Sequence, residues 1–184
     1  MNTNQKRKIN LKNLTSAGVC LALCLFLPFL TGNIPQIGSA LSPMHIPVLL
    51  CGFIAGPLYA AVVGIIAPLL RFALFGMPPL MPVGVAMCFE LAAYGIISGV
   101  LYKMLPKKTA FIYVSLVSAM LLGRVVWGLA MWAVLGASGV PFTLTMFMAG
   151  AFVNAVPGII VHIILIPVIV MALRKAGYSI EISN

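Results

Sequence analysis

Few side chains in this chain could do chemistry, and those few stand in long apolar surroundings. Arg71, Glu90, Arg124, Asn154 and His162 each interrupt a hydrophobic run. Tyr94 follows Glu90 by four residues, and Trp127 and Met131 follow Arg124 by three and seven, so each set lies on one face of its own helix. Polar groups at bilayer depth are costly and turn towards the bundle interior, which makes them the candidates for binding a solute. Two arginines and one glutamate leave one buried positive charge over, so a carboxylate, a phosphate or another strongly polar group is expected to meet it. Glu90 has two open roles: a structural ion pair with Arg71 or Arg124, or a contact with the solute. His45 opens a predicted span at the outer surface, where it either binds a ligand, holds the first loop closed, or is satisfied by water. Asn154 is equally open to binding or to helix–helix bonding, and His162 reads as a helix–helix bonder because of its depth. Trp127 and Trp132 read first as packing or interface residues, with Trp127 or Tyr94 as the aromatic partner of a solute.

The elements that must position these groups follow from composition. The chain has 184 residues, 62% hydrophobic and 7% charged, with a mean hydropathy of +1.17. A soluble domain carries roughly a quarter charged residues. No Asp, Glu, Lys or Arg occurs from Asn13 to Leu70, or from Val125 to Leu173. Such runs far exceed the roughly 20 residues that cross a bilayer. The chain therefore reads as an all-α, multi-pass membrane protein. A soluble enzyme, a nucleic-acid module and a disulfide scaffold are excluded.

Nine of the 11 basic residues form three clusters: Lys6, Arg7, Lys8 and Lys12; Lys103, Lys107 and Lys108; Arg174 and Lys175. Short Lys/Arg-rich loops stay in the cytoplasm, so an even number of crossings must separate the clusters. Six transmembrane helices with both termini cytoplasmic satisfy this. They form a single domain over 1–184, with a basic segment at about 1–12 and a tail at 174–184. The spans are predicted at about Leu14–Leu30, Met44–Ala55, Leu58–Phe75, Val83–Leu101, Ala110–Leu135 and Thr145–Leu173. External loops fall at 31–43, 76–82 and 136–141, and Gly56-Pro57 makes a cytoplasmic turn. Arg71, Glu90 and Asn154 then lie in the outer half, beneath the loops. That places a pocket open to the outside rather than a pore.

Other chemistry is thinly represented. No Gly-rich loop leads into Lys-Ser or Lys-Thr, so no ATP site is visible. Cys20, Cys24, Cys51 and Cys88 sit in apolar stretches without a Cys-x-x-Cys pair and read as small hydrophobes. His45 has no acidic residue nearby and the other histidine is far along the chain, so no metal site is expected. No cofactor is expected either. The N-terminal run ends at Pro28, Gly32, Asn33 and Pro35 without a small-x-small site, so it does not read as a cleaved signal peptide. No internal repeat is evident, which argues against an inverted-repeat transporter.

The stretches Met44–Pro57 (MHIPVLLCGFIAGP), Pro68–Pro79 (PLLRFALFGMPP) and Ala86–Gly95 (AMCFELAAYG), with the size and span count, resemble the substrate-binding (S) component of energy-coupling-factor (ECF) transporters. The resemblance implies a binding subunit, not an enzyme, in a prokaryotic plasma membrane. It would capture a vitamin or vitamin-like solute from outside, either a pantothenate-like anion or a pyridoxine- or thiamine-precursor-like ring. It implies a transmembrane coupling subunit and two ATPase subunits as partners, besides the lipid bilayer. Small residues at four-residue spacing on the first helix, here Gly18 and Ala22 with Ala17 beside them, match the family's partner contact, and close backbone approach is how helices associate in lipid. Met44-His45 is similar to the metal-binding start of nickel and cobalt members, but it is internal and lacks a free amine, so a metal substrate is rejected. The substrate-binding set is His45, Arg71, Glu90, Tyr94, Arg124, Trp127 and Asn154. The rival readings are a stand-alone permease, or an integral-membrane enzyme for which one buried Glu and two His leave few ways to build an active site.

Overall fold

A computed structural model describes residues 11–30, 38 and 40–176, and these are almost wholly helical. The helices are α1 (Leu11–Leu30), α2 (His45–Ala55), α3 (Pro57–Phe75), α4 (Val85–Met104), α5 (Thr109–Ala137), α6 (Leu144–Met148) and α7 (Val156–Lys175). A kink at Met81, whose backbone is extended, leads into α4, and a wide, π-type turn at Ala149–Val153 joins α6 to α7. Five stretches are long and apolar enough to cross a membrane: Leu11–Leu30, Pro57–Phe75, Leu80–Met104, Thr109–Ala137 and Leu144–Lys175.

The expected second span is different in kind. α2 has 11 residues, about 16 Å of helix against a hydrocarbon layer of about 30 Å. Ten of those residues are buried. α2 packs against α1, α3, α4 and α7, so it is an interior post around which the longer helices stand. Gly56, at φ 93° and ψ 170°, makes the reversal into α3, a conformation that other residues rarely adopt. Pro57 then begins α3, where its missing N–H costs nothing.

Small residues let the backbones touch. A Cβ on Gly64 would lie 2.6 Å from the Leu91 carbonyl carbon, and one on Gly95 would lie 2.7 Å from the Ala60 backbone. α3 and α4 are therefore in backbone contact, as expected where dispersion and fit drive association. Leu49, Leu91, Ile112, Leu116 and Ile166 are fully buried at the centre, whereas Leu58, Leu129, Trp132 and Ile164 are 61–65% exposed. An outside this apolar suits hydrocarbon.

Gly76 ends α3 with φ 69°, and Met81 is still extended at φ −115° and ψ 135°, so the chain leaves this connection for regular helix close to Pro82, where the loop was expected to end. The last span is not continuous: Thr143 caps a short α6, and the chain turns through Ala149–Val153 before α7 begins. Most of the expected 31–43 loop, with Lys6, Arg7, Lys8 and the tail beyond 176, lies outside the described residues.

The second and third basic clusters do share one end. Arg174 donates from Nη2 to the Lys107 carbonyl at 2.7 Å. The Lys107 ammonium bonds the Tyr102 carbonyl and lies 4.0 Å from the centre of the Tyr102 ring. Burial, with the Arg174 charge beside it, holds Lys107 below the usual lysine range.

Candidate functional site

At the opposite end of α4 from the basic residues, a cavity of about 380 Å³ opens between α1, α2, α3, α4, α5 and the α6–α7 turn. Its size lies at the lower end of the range for small-molecule sites. Most of its wall is apolar, from Pro28, Pro43, Met44, Met77, Pro78, Pro79, Val83 and Met87. Its polar lining comprises Ser42, His45, Arg71, Glu90, Arg124 and Asn154, with Trp127 beside them. Six of the seven residues singled out from the sequence therefore border one space. The seventh, Tyr94, does not line it and instead stands behind Glu90.

Glu90 is the centre of the polar cluster and is 1% exposed. Its Oε1 meets Arg124 Nη1 at 2.9 Å and accepts from the Tyr94 hydroxyl at 3.0 Å. Its Oε2 faces His45 Nε2 at 3.4 Å, within ion-pair range but without hydrogen-bond alignment. Each side chain arrives on a different route. Glu90 and Tyr94 are one turn apart on α4, Arg124 comes from the middle of α5, and His45 is the first residue of α2. Gly123 makes room for Tyr94, since a Cβ there would lie 2.1 Å from the ring. Of the two arginines offered by the sequence as partners for Glu90, Arg124 is the one the structure seats on it.

Arg71 occupies a separate part of the wall. Its Nη1 donates to the Leu25 carbonyl at 2.8 Å, and its guanidinium lies 5.2 Å and 5.3 Å from the Phe29 and Phe75 rings. Weakly hydrated arginine tolerates such aromatic company well. With Arg71, Arg124 and Glu90 as the charged lining, the cavity carries a net single positive charge when its histidine is neutral. Arg124 presents only Nη1 to the carboxylate, and a guanidinium has five N–H donors, so donors remain for a group in the cavity.

Trp127 is braced from behind. Phe142 meets it edge-on at 6.0 Å and Phe147 stacks at 6.4 Å, while Gly150 leaves space that a Cβ would fill at 2.6 Å from the indole. Trp132 points outward instead. Asn154 is exposed at the rim, at the end of the Ala149–Val153 turn. Irregular helical turns of this kind are frequent at functional sites.

Several lining residues escaped sequence reasoning, although spacing signalled some of them. Met87 stands one turn before Glu90, and Gly150 one turn before Asn154, on the same faces. Ser42 and Met44 flank the singled-out His45 closely. His162, expected to bond between helices rather than to a ligand, does not line the cavity, and its ring stacks on His45 at 6.1 Å and 17°.

On α1, the small residues divide. Gly18 and Ala22 are exposed, and a Cβ on Gly18 would meet nothing within 4 Å. Ala17, beside them, is only 6% exposed and belongs to the chain's own core. Cys20, Cys24, Cys51 and Cys88 are free and buried, and no His/Cys/Asp/Glu group among the described residues has the makings of a metal site.

Apolar spans packed around one cavity with a small charged floor are the architecture of a membrane-embedded binding subunit. The family model for the substrate-specific component of ECF transporters matches residues 12–170, and the chain belongs to that family. No curated protein and no solved structure gave a match. Membership places the chain among transporter binding components rather than in an enzyme class. It implies a small-molecule substrate and association with the coupling and ATPase modules of such a transporter.

Proposed function

We propose that the chain captures a small vitamin-like organic solute bearing a carboxylate or phosphate, and presents it for ATP-driven uptake across the cell membrane. The observation that carries this reading is the charge of the cavity wall: two arginines against one glutamate whose carboxylate is already engaged by Arg124 and Tyr94. A negative group on the solute suits this positive wall, and the remaining Arg124 donors give it charge-assisted hydrogen bonds. Arg71 adds attraction from its part of the wall. Trp127 and the cavity methionines fit the apolar body of the solute, since thioethers adapt to irregular or aromatic shapes. Asn154 reads a polar substituent at the rim. Glu90 and Tyr94 act behind the solute, holding Arg124 in place.

In this reading the basic end is cytoplasmic and the cavity faces outward. The short α2 counts as the second of six passages, which keeps their number even. The exposed Gly18 and Ala22 face of α1 receives the coupling subunit, whose two ATPases supply the energy. The test is reconstitution. Solute should accumulate in liposomes only when the coupling subunit and both ATPases are present with ATP. Uptake by this chain alone in ATP-free liposomes would overturn the reading in favour of a permease.

A further inference from the structure

Two residues of α7 that do not themselves border the cavity restrain one of its walls. Ser42 and Pro43 form part of that wall, and Ser42 holds a left-handed φ of 47° without being glycine. Such a conformation persists only where the surroundings over-determine it. The local bonds are short-range: the Ser42 N–H donates to the Gly38 carbonyl at 2.8 Å, and the Ser42 carbonyl accepts from the His45 N–H at 3.0 Å. The long-range restraints come from α7. The His162 ring stacks on His45 at 6.1 Å and 17° and lies beside the Ser42 backbone. One turn earlier, Gly158 approaches so closely that a Cβ would lie 2.7 Å from the Ala40 carbonyl oxygen and 2.9 Å from that of Leu41. Positions 158 and 162 share one face of the helix. That face is shaped to receive the 40–45 corner.

We propose that Gly158 and His162 are positioning residues for solute binding. Together they clamp the 40–45 corner against α7, and so set where the cavity wall and the His45 ring stand relative to Glu90. The proposal rests on the reading that this cavity takes the solute, but its geometry can be tested without knowing the solute. His162 Nε2 has no hydrogen-bond partner among the described residues, so the ring acts through its stacked face and its place beside the Ser42 backbone. Loss of the polar contact with that backbone should open the corner by about five-fold, the weight of one ordinary hydrogen bond.

The experiment compares Gly158→Ala, His162→Phe and His162→Gln with the unchanged chain, all in a Trp132→Phe background so that Trp127 is the only indole. Amide hydrogen exchange is followed over 40–46, with α3 and α4 as internal controls for folding. Iodide quenching of Trp127 fluorescence reports access to the cavity. Gly158→Ala and His162→Phe should exchange about five-fold faster at the corner and quench more steeply, with α3 and α4 unchanged. His162→Gln, which keeps an N–H donor, should stay near the parent. Equal exchange in all four chains, or His162→Gln behaving like His162→Phe, would overturn the proposal. Faster exchange with unaltered quenching would also overturn it, by showing a structural tie that does not shape the cavity. Should Gly158→Ala fail to fold, the His162 pair decides. Failure of the solute reading shows separately, as a parent chain that binds no solute while the exchange pattern stands.

Discussion

Replacing Glu90 by Gln changes a charge while keeping a shape, so its effect can be worked out from the cluster. The glutamine carbonyl can still accept from Arg124 and from the Tyr94 hydroxyl, which meet Oε1 at 2.9 and 3.0 Å. Its amide can face His45 Nε2, which lies 3.4 Å from Oε2. What disappears is the one negative charge lining the cavity. Breaking a buried pair by removing one partner costs about 3–5 kcal/mol. Arg124 keeps a neutral acceptor and borders a cavity, so the lower figure of about 3 kcal/mol applies here. For a chain of this size that is a fall of about 6–12 °C in Tm. The assay is thermal unfolding in detergent without solute, run as a double-mutant cycle with Arg124→Met. The double variant should recover most of the loss, because it buries no uncompensated cation. Affinity for an anionic solute should hold or rise in Glu90→Gln, since the local potential becomes more positive. A Tm within 2 °C of the parent, or additive losses in the cycle, would refute the pairing argument.

Other outcomes follow from the same geometry. Arg124→Met should weaken solute binding by about 2–5 kcal/mol, whereas Lys107→Met, at the far end of α4, should leave a calorimetric titration unchanged. Gly18→Leu and Ala22→Leu should bind solute normally and fold normally, yet lose co-purification with the coupling subunit and lose uptake. Gly64→Ala should lower Tm by the equivalent of about 1–3 kcal/mol, because the new methyl meets the Leu91 backbone rather than a yielding side chain.

Much of the architecture was legible because apolar run length and Gly/Pro punctuation are local signals. The end of α1 at Leu30, the Gly56-Pro57 reversal and the end of α3 at Phe75 all fall where those signals put them. The turn at Ala149–Val153 was not legible, since the run around it is apolar without a proline or charge to mark a break, and its Gly150 is seen to lie against Trp127 only once the helices are packed. The candidate site shows the same division. Buried charge in lipid is rare enough to announce itself, so Arg71, Glu90 and Arg124 stood out. Which arginine meets Glu90 depends on the rotation of α3 and α5 about their axes, and spacing within one helix says nothing of that. Tyr94 was placed on the correct face of α4 but one turn too deep to reach the cavity. Ala17 shows the limit of reading small residues along one helix, since it is buried in the chain's own core while its neighbour Gly18 is exposed.

The most direct test is native mass spectrometry of the gently purified chain beside its Arg124→Met variant. The account predicts a single small solute bearing a carboxylate or phosphate on the parent chain, and its loss from Arg124→Met while the variant remains folded. A cationic or uncharged solute, or equal retention by both chains, would contradict the claim that the arginine-lined cavity captures an anion.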